Sequence, residues 1–97
     1  MLYALLCNDK PGRLQVRLDT RAAHLEWLTG LKDKGVVKLA GPFLDADGKP
    51  EGTLMVIAAD SAEAAHSLAV QDPYAIAGLF ESVTIRPWNW VVNNPEA

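Results

Sequence analysis

A chain of 97 residues sits at the small end of the single-domain range, so residues 1–97 are read as one domain, with 93–97 as a loose tail. The net charge of −3, with nine basic residues in no run or stripe, argues against a nucleic-acid partner, and no window approaches the roughly 20 apolar residues of a membrane span. Cys7 is the single cysteine and has no internal disulfide partner, and MLYALLCNDK lacks the basic and long apolar regions of a secretory leader, so a cytoplasmic protein is expected.

Leu2 to Cys7 is an apolar run of strand length, closed by the turn formers Asn8, Asp9, Lys10, Pro11 and Gly12. From Leu18 to Lys34 the apolar residues Leu18, Ala22, Leu25, Leu28 and Leu31 recur at spacings of three and four, and Gly35 stands where a helix C-terminal cap belongs. Val36 to Phe43 reads as a second strand ending near Gly41-Pro42. Asp47-Gly48 marks the turn of a hairpin whose return strand is Thr53 to Ala59. Asp60 is the expected N-cap of a second helix, with Glu63 completing a capping-box-like pair and Ala62, Ala65, Leu68 and Ala69 forming an apolar stripe to about Gln71. Past a loop from Asp72 to Gly78, Val83 and Ile85 alternate with Ser82, Thr84 and Arg86 in a last strand, Glu81 to Arg86.

The order is βαββαβ, for which the α+β ferredoxin-like sheet, antiparallel with both helices on one face, is the common solution; a short doubly wound fragment is the alternative. The first and third strands are apolar at odd and even positions alike, so they are expected to be central and covered on both faces. Two helices cover one face only. With 49% apolar residues and a length that limits self-burial, a second copy of the chain, packed sheet against sheet as a two-fold homodimer, is the expected cover for the other. Trp88 and Trp90 are placed either to reach across that interface or to pack locally under the tail.

His24 is the most informative polar residue. It falls within the apolar arc of the first helix, among Leu25, Trp27, Leu28 and Leu31, so it points toward the sheet and needs a hydrogen-bond partner there. Asp72 is the candidate: in βαββαβ the two helices run antiparallel, so the first turns of one lie beside the end of the other, and Pro73 biases Asp72 out of the helical region. A capping role for Asp72 is disfavoured, because a carboxylate at a helix C-terminus opposes the macrodipole. The pair admits two uses, a satisfied structural histidine or a catalytic one. His66 belongs to a helix surface, Cys7 to the core as an inert thiol, and Asp45, Asp47 and Glu51 to a solvated turn. With no phosphate loop, zinc spacing or nucleophile elbow, no metal, nucleotide or other cofactor is expected.

The N-terminal Met-Leu-Tyr strand, Arg21-Ala22-Ala23-His24-Leu25, Gly41-Pro42, and Asp72-Pro73-Tyr74 with Ala77-Gly78-Leu79, in this order and spacing across nearly the whole chain, resemble the YciI-like (YCII-related) family. The resemblance implies a dimeric α+β barrel related in architecture to muconolactone isomerases, with His24 and Asp72 as the candidate active site. The family's histidine is often preceded by arginine, proline and alanine; here Ala22 stands at the proline position while Arg21 and His24 are kept. One branch of the family is similar to a dehydrochlorinase of chlorinated hydroxyquinol-type rings.

The leading expectation is therefore a cofactor-independent lyase or isomerase of a small cyclic or aromatic metabolite. His24 would be the general base and Asp72 its orienting partner. Arg21, one turn before His24, would hold a substrate carboxylate or enolate, Tyr74 would donate a hydrogen bond, and Gly41 and Pro42 would shape the pocket wall. The rival is a non-enzymatic small-ligand-binding or accessory homodimer in which His24 and Asp72 satisfy each other; a protein-interaction module has less support, since the exposed apolar surface is assigned to the dimer.

Overall fold

The computed structural model describes residues 1–97. Its elements are β1 (Leu2–Asp9), α1 (Leu14–Asp33), β2 (Val37–Leu44), β3 (Pro50–Ala58), α2 (Ala62–Ala69), α3 (Pro73–Ile76) and β4 (Phe80–Trp88). The sheet order is β2-β3-β1-β4 and every pairing is antiparallel, which is the ferredoxin-like α+β topology with the helices packed on one face. The apolar strands β1 and β3 are central, as their composition demands, and Pro42 is tolerated because β2 is an edge strand, where a missing N–H breaks no inner ladder.

The pleat sorts the side chains. Tyr3, Leu5 and Cys7 of β1 lie beside Ile57, Met55 and Thr53 of β3 and face the helices, where they meet Ala65 and Ala69 of α2 and Trp27, Leu28 and Leu31 of α1. Leu2, Ala4 and Leu6, beside Ala58, Val56 and Leu54, point to the opposite face. In the single chain that face is not covered: Leu2, Leu6 and Leu54 are only half-buried, and Leu39, Phe43 and Trp88 are exposed. All three helices lie on one side, so the single chain leaves its second sheet face open, as helices on one face imply.

Helix α1 ends as expected. Gly35 adopts φ +75°, a left-handed conformation that glycine takes without Cβ strain, while Gly35 N–H donates to the Lys32 carbonyl and Val36 N–H to the Leu31 carbonyl, the paired bonds of a Schellman ending. The hairpin turns at Gly48 (φ +81°), with Asp45 accepting from the N–H groups of Asp47 and Lys49. Several boundaries depart from expectation: β1 runs on to Asp9, β3 begins at Pro50 rather than Thr53, and β4 runs on to Trp88. Helix α1 begins at Leu14 rather than Leu18, because Leu14-Gln15-Val16-Arg17 holds no glycine or proline and extends the helix back to the turn at Gly12. The cap of α2 is Ser61, not Asp60: Ser61 Oγ accepts from Ala64 N–H at 3.1 Å, so Glu63 stands one place short of a capping box. Pro73 to Ile76 is a short helix where a loop is expected, since proline is well suited to a first helical turn. In the tail, Glu96 pairs with Lys38 at 2.7 Å. None of the helices is long and apolar enough to cross a membrane.

Candidate functional site

One stripe of α1 organises the site. At about 100° per residue, Arg17, Arg21, His24 and Leu28 fall within an arc of roughly 60°. Beside them lies a pocket of about 290 Å³ lined by Arg17, Arg21, His24, Leu25 and Leu28 of α1, Ala40, Gly41 and Pro42 of β2, Pro50 and Thr53 of β3, and Tyr74 of α3. Arg21, His24, Gly41, Pro42 and Tyr74, all singled out in the sequence, share this one wall system, and Asp72 sits behind it.

His24 Nδ1 lies 2.8 Å from Asp72 Oδ1, with His24 5% exposed and Asp72 fully buried. The same Oδ1 accepts the Tyr74 backbone N–H at 2.9 Å. Asp72 is therefore the N-cap of α3, a role opposite to the disfavoured C-terminal one: its ψ of 128°, imposed by the following proline, turns the carboxylate over the start of a new helix instead of the end of α2. Because Oδ1 is an acceptor, Nδ1 carries the hydrogen, and the lone pair of the neutral imidazole belongs to Nε2. Asp72 Oδ2 is buried without a hydrogen-bond partner. The helix that lies beside His24 is α3, not the end of α2, so the antiparallel-helix argument locates the right neighbourhood through the wrong element.

The other half of the site has no counterpart among the expected residues. Arg17 is 4% exposed and donates from Nε and Nη2 to the two carboxylate oxygens of Asp9 at 2.7 and 2.9 Å, and from Nη2 to Thr53 Oγ1 at 2.8 Å. Asp9 turns toward α1 where the β1–β4 register shifts between Asn8 and Asp9. The Arg17 guanidinium lies 4.5 Å from the centre of the Tyr74 ring, and Tyr74 in turn stacks on His24 with ring centres 4.0 Å apart and planes 19° from parallel. A continuous chain of contacts runs Asp9, Arg17, Tyr74, His24, Asp72. Arg17 stands four residues before Arg21 and seven before His24, so the helical spacing that places Arg21 in the site also places Arg17; starting the helix at Leu18 hides it.

The electrostatics follow from these contacts. Burial opposes the charge on Arg17, but the Asp9 hydrogen bonds and negative charge outweigh it and hold the guanidinium above its ordinary value. Burial pushes the Tyr74 phenol up, the Arg17 cation opposes, and the Asp72 carboxylate adds to the rise, so the hydroxyl stays protonated as a donor. Burial, with the nearby Asp72 charge, pushes the Cys7 thiol up to about 12, which agrees with an inert core thiol. His66 is exposed on α2.

Comparison with known proteins gives a family. The model of the YCII-related domain matches residues 1–89. The chain is 36% identical to protein YciI of Escherichia coli, aligned over 94% of this chain and 99% of that one, and 31% identical to an uncharacterized protein of Haemophilus influenzae over the same shares. Among solved structures it is similar to 5-chloro-2-hydroxyhydroquinone dehydrochlorinase (TftG) of Burkholderia phenoliruptrix in complex with 2,5-dihydroxybenzoquinone, with a TM-score of 0.83, 36% identity, and 92% and 94% of the two chains covered. A NIPSNAP family protein of Agrobacterium tumefaciens, 18% identical with a TM-score of 0.56 over 99% and 97% of the chains, shares the fold. The chain belongs to the YCII-related family.

Proposed function

We propose that this YCII-related protein is a dehydrochlorinase-like lyase or isomerase that moves a proton on a small cyclic or aromatic metabolite without a cofactor. The observation that carries the proposal is the 2.8 Å contact between His24 Nδ1 and Asp72 Oδ1, which leaves Nε2 as the free base on a ring lining the pocket. In a dehydrochlorination Nε2 would take a proton from the substrate, the electron pair of the broken bond would form the new double bond, and chloride would leave with the electrons of the C–Cl bond. Asp72 would stabilise the imidazolium so formed, as in other His-Asp pairs. Tyr74 would supply a protonated hydroxyl, Arg21 a cation at the pocket mouth, and Gly41 and Pro42 the opposite wall. Similarity to TftG supports the chemistry, and the 2,5-dihydroxybenzoquinone bound to TftG supports a six-membered oxygenated ring as the first compound to try.

The burial of His24 favours a second reading, a pocket that holds a ligand without turning it over. Chloride release from 5-chloro-2-hydroxyhydroquinone, and ring-proton exchange of 2,5-dihydroxybenzoquinone in deuterated water, separate the two. Wild-type protein should accelerate one or both, and His24→Ala should lose about 10²–10⁴-fold. Equal rates for His24→Ala and wild type would remove the base; binding with no turnover of any compound would leave the ligand-holding reading.

We also propose that two copies pair through the open sheet face, where Leu2, Leu6 and Leu54 are half-buried beside exposed Leu39, Phe43 and Trp88. The free, buried Cys7 suits a reducing compartment, and we place the protein in the cytoplasm.

A further inference from the structure

The pocket carries more positive charge than the fold answers. Arg17 and Arg21 are four residues apart on α1, the spacing at which like charges on a helix repel. Asp9 neutralises Arg17, whereas none of the four ion pairs of the chain includes Arg21. The facing wall of Ala40, Gly41 and Pro42 brings no carboxylate, and the one acid behind the pocket, Asp72, is fully buried with Oδ1 already shared by His24 and Tyr74 N–H. Arg21 therefore stands at the pocket mouth as an unanswered cation.

Arg17 differs from it in rigidity. Its Nε and Nη2 are held by Asp9 and Thr53 and its plane rests over Tyr74, so the guanidinium is fixed in place on a side chain that lines the pocket. Such a donor needs no reordering when an oxygen arrives. We propose that the pocket selects a ligand with one ionised oxygen on an apolar cyclic body, the oxygen pairing with Arg21 beside the fixed guanidinium of Arg17 while the ring lies against Leu25, Leu28 and Pro42. This inference rests on reading the pocket as a substrate site, and it names the substrate class: a carboxylate, phenolate or enolate monoanion. Two guanidinium groups beside the base would also stabilise the charge left on the ring when His24 removes a proton.

Calorimetric titration with benzoate and benzamide, similar in shape and different in charge, tests it. Wild-type protein at low salt should bind benzoate about tenfold or more tightly than benzamide, with the ratio falling at high salt. Arg21→Met, a change at an exposed position, should bring the ratio close to one with the fold intact. His24→Asn should keep the charge preference, so a pocket that prefers benzoate yet turns over no compound sinks the proton-transfer reading and leaves this one standing. Equal binding of the two by wild type, no binding of either at millimolar concentration, or an unchanged ratio in Arg21→Met overturns the inference.

Discussion

The Asp9–Arg17 pair offers the sharpest test of how the site is held. Two parallel hydrogen bonds of 2.7 and 2.9 Å join side chains that are 7% and 4% exposed, so water cannot replace either partner. Arg17→Met leaves the Asp9 carboxylate buried with no cation, and Asp9→Leu leaves Arg17 with only Thr53 and the Tyr74 ring; removing one partner of a buried pair costs about 3–5 kcal/mol. Replacing both by well-packed apolar side chains is often close to neutral, so the double variant Asp9→Leu/Arg17→Met should be more stable than either single one, and the two single costs should not add. For a domain of this size, 3 kcal/mol lowers Tm by roughly 12–24 °C. Urea and thermal unfolding followed by circular dichroism at one fixed protein concentration measure all four proteins without confusing self-association with folding. A cost below about 1 kcal/mol for each single change, the range of exposed pairs, together with additivity in the double variant, would refute the view that Arg17 is a buried, obligatorily paired cation.

The Cys7 thiol, pushed up to about 12 in the folded chain, keeps its proton through a range in which the unfolded thiol loses it, so its contribution to stability is complete below about pH 9 and is lost as pH rises toward 12, by about 1.4 kcal/mol per pH unit at the steepest. Cys7→Ala should flatten the fall in urea midpoint between these values, and an unchanged slope would remove the assignment. On the open sheet face, Leu54→Lys, at a half-buried position beside Leu6, should convert the proposed dimer to a folded monomer in sedimentation experiments; a wild-type protein that is already monomeric would leave the face without its second copy.

Much of the architecture is legible in the sequence because each strand and long helix carries its own period: the alternation of Val83 and Ile85, the three-and-four spacing of Leu25, Leu28 and Leu31, and the positive-φ demand at Gly35 and Gly48 are local signals. The errors arise where a side chain answers to something distant. Asp9 reads as a turn former, yet a register shift in β1 aims it at α1; Arg17, one residue ahead of the expected helix start, carries no local signal, yet it is buried where it meets Asp9 and Thr53. His24 and Asp72 are legible as a pair because one lies in an apolar arc and the other precedes a proline, while the cap that Asp72 provides to α3 depends on a short helix too brief to show a period.

The placement of polar residues bears on function independently of any resemblance. Only 16 of 97 residues are buried, and four of these, Arg17, His24, Thr53 and Asp72, are polar or charged. In a domain with so little apolar core, apolar substitutes of similar size would bury more surface at lower desolvation cost, and a buried ion pair contributes little net stability over them. The polar residues are not scattered either: Arg17, His24 and Thr53 line the same pocket, Asp72 orients one of them, and Asp9 and Tyr74 hold the chain of contacts together. Stability alone does not account for this concentration along a single cavity wall, whereas a site that must hold an imidazole in one tautomer and a guanidinium in one orientation requires it.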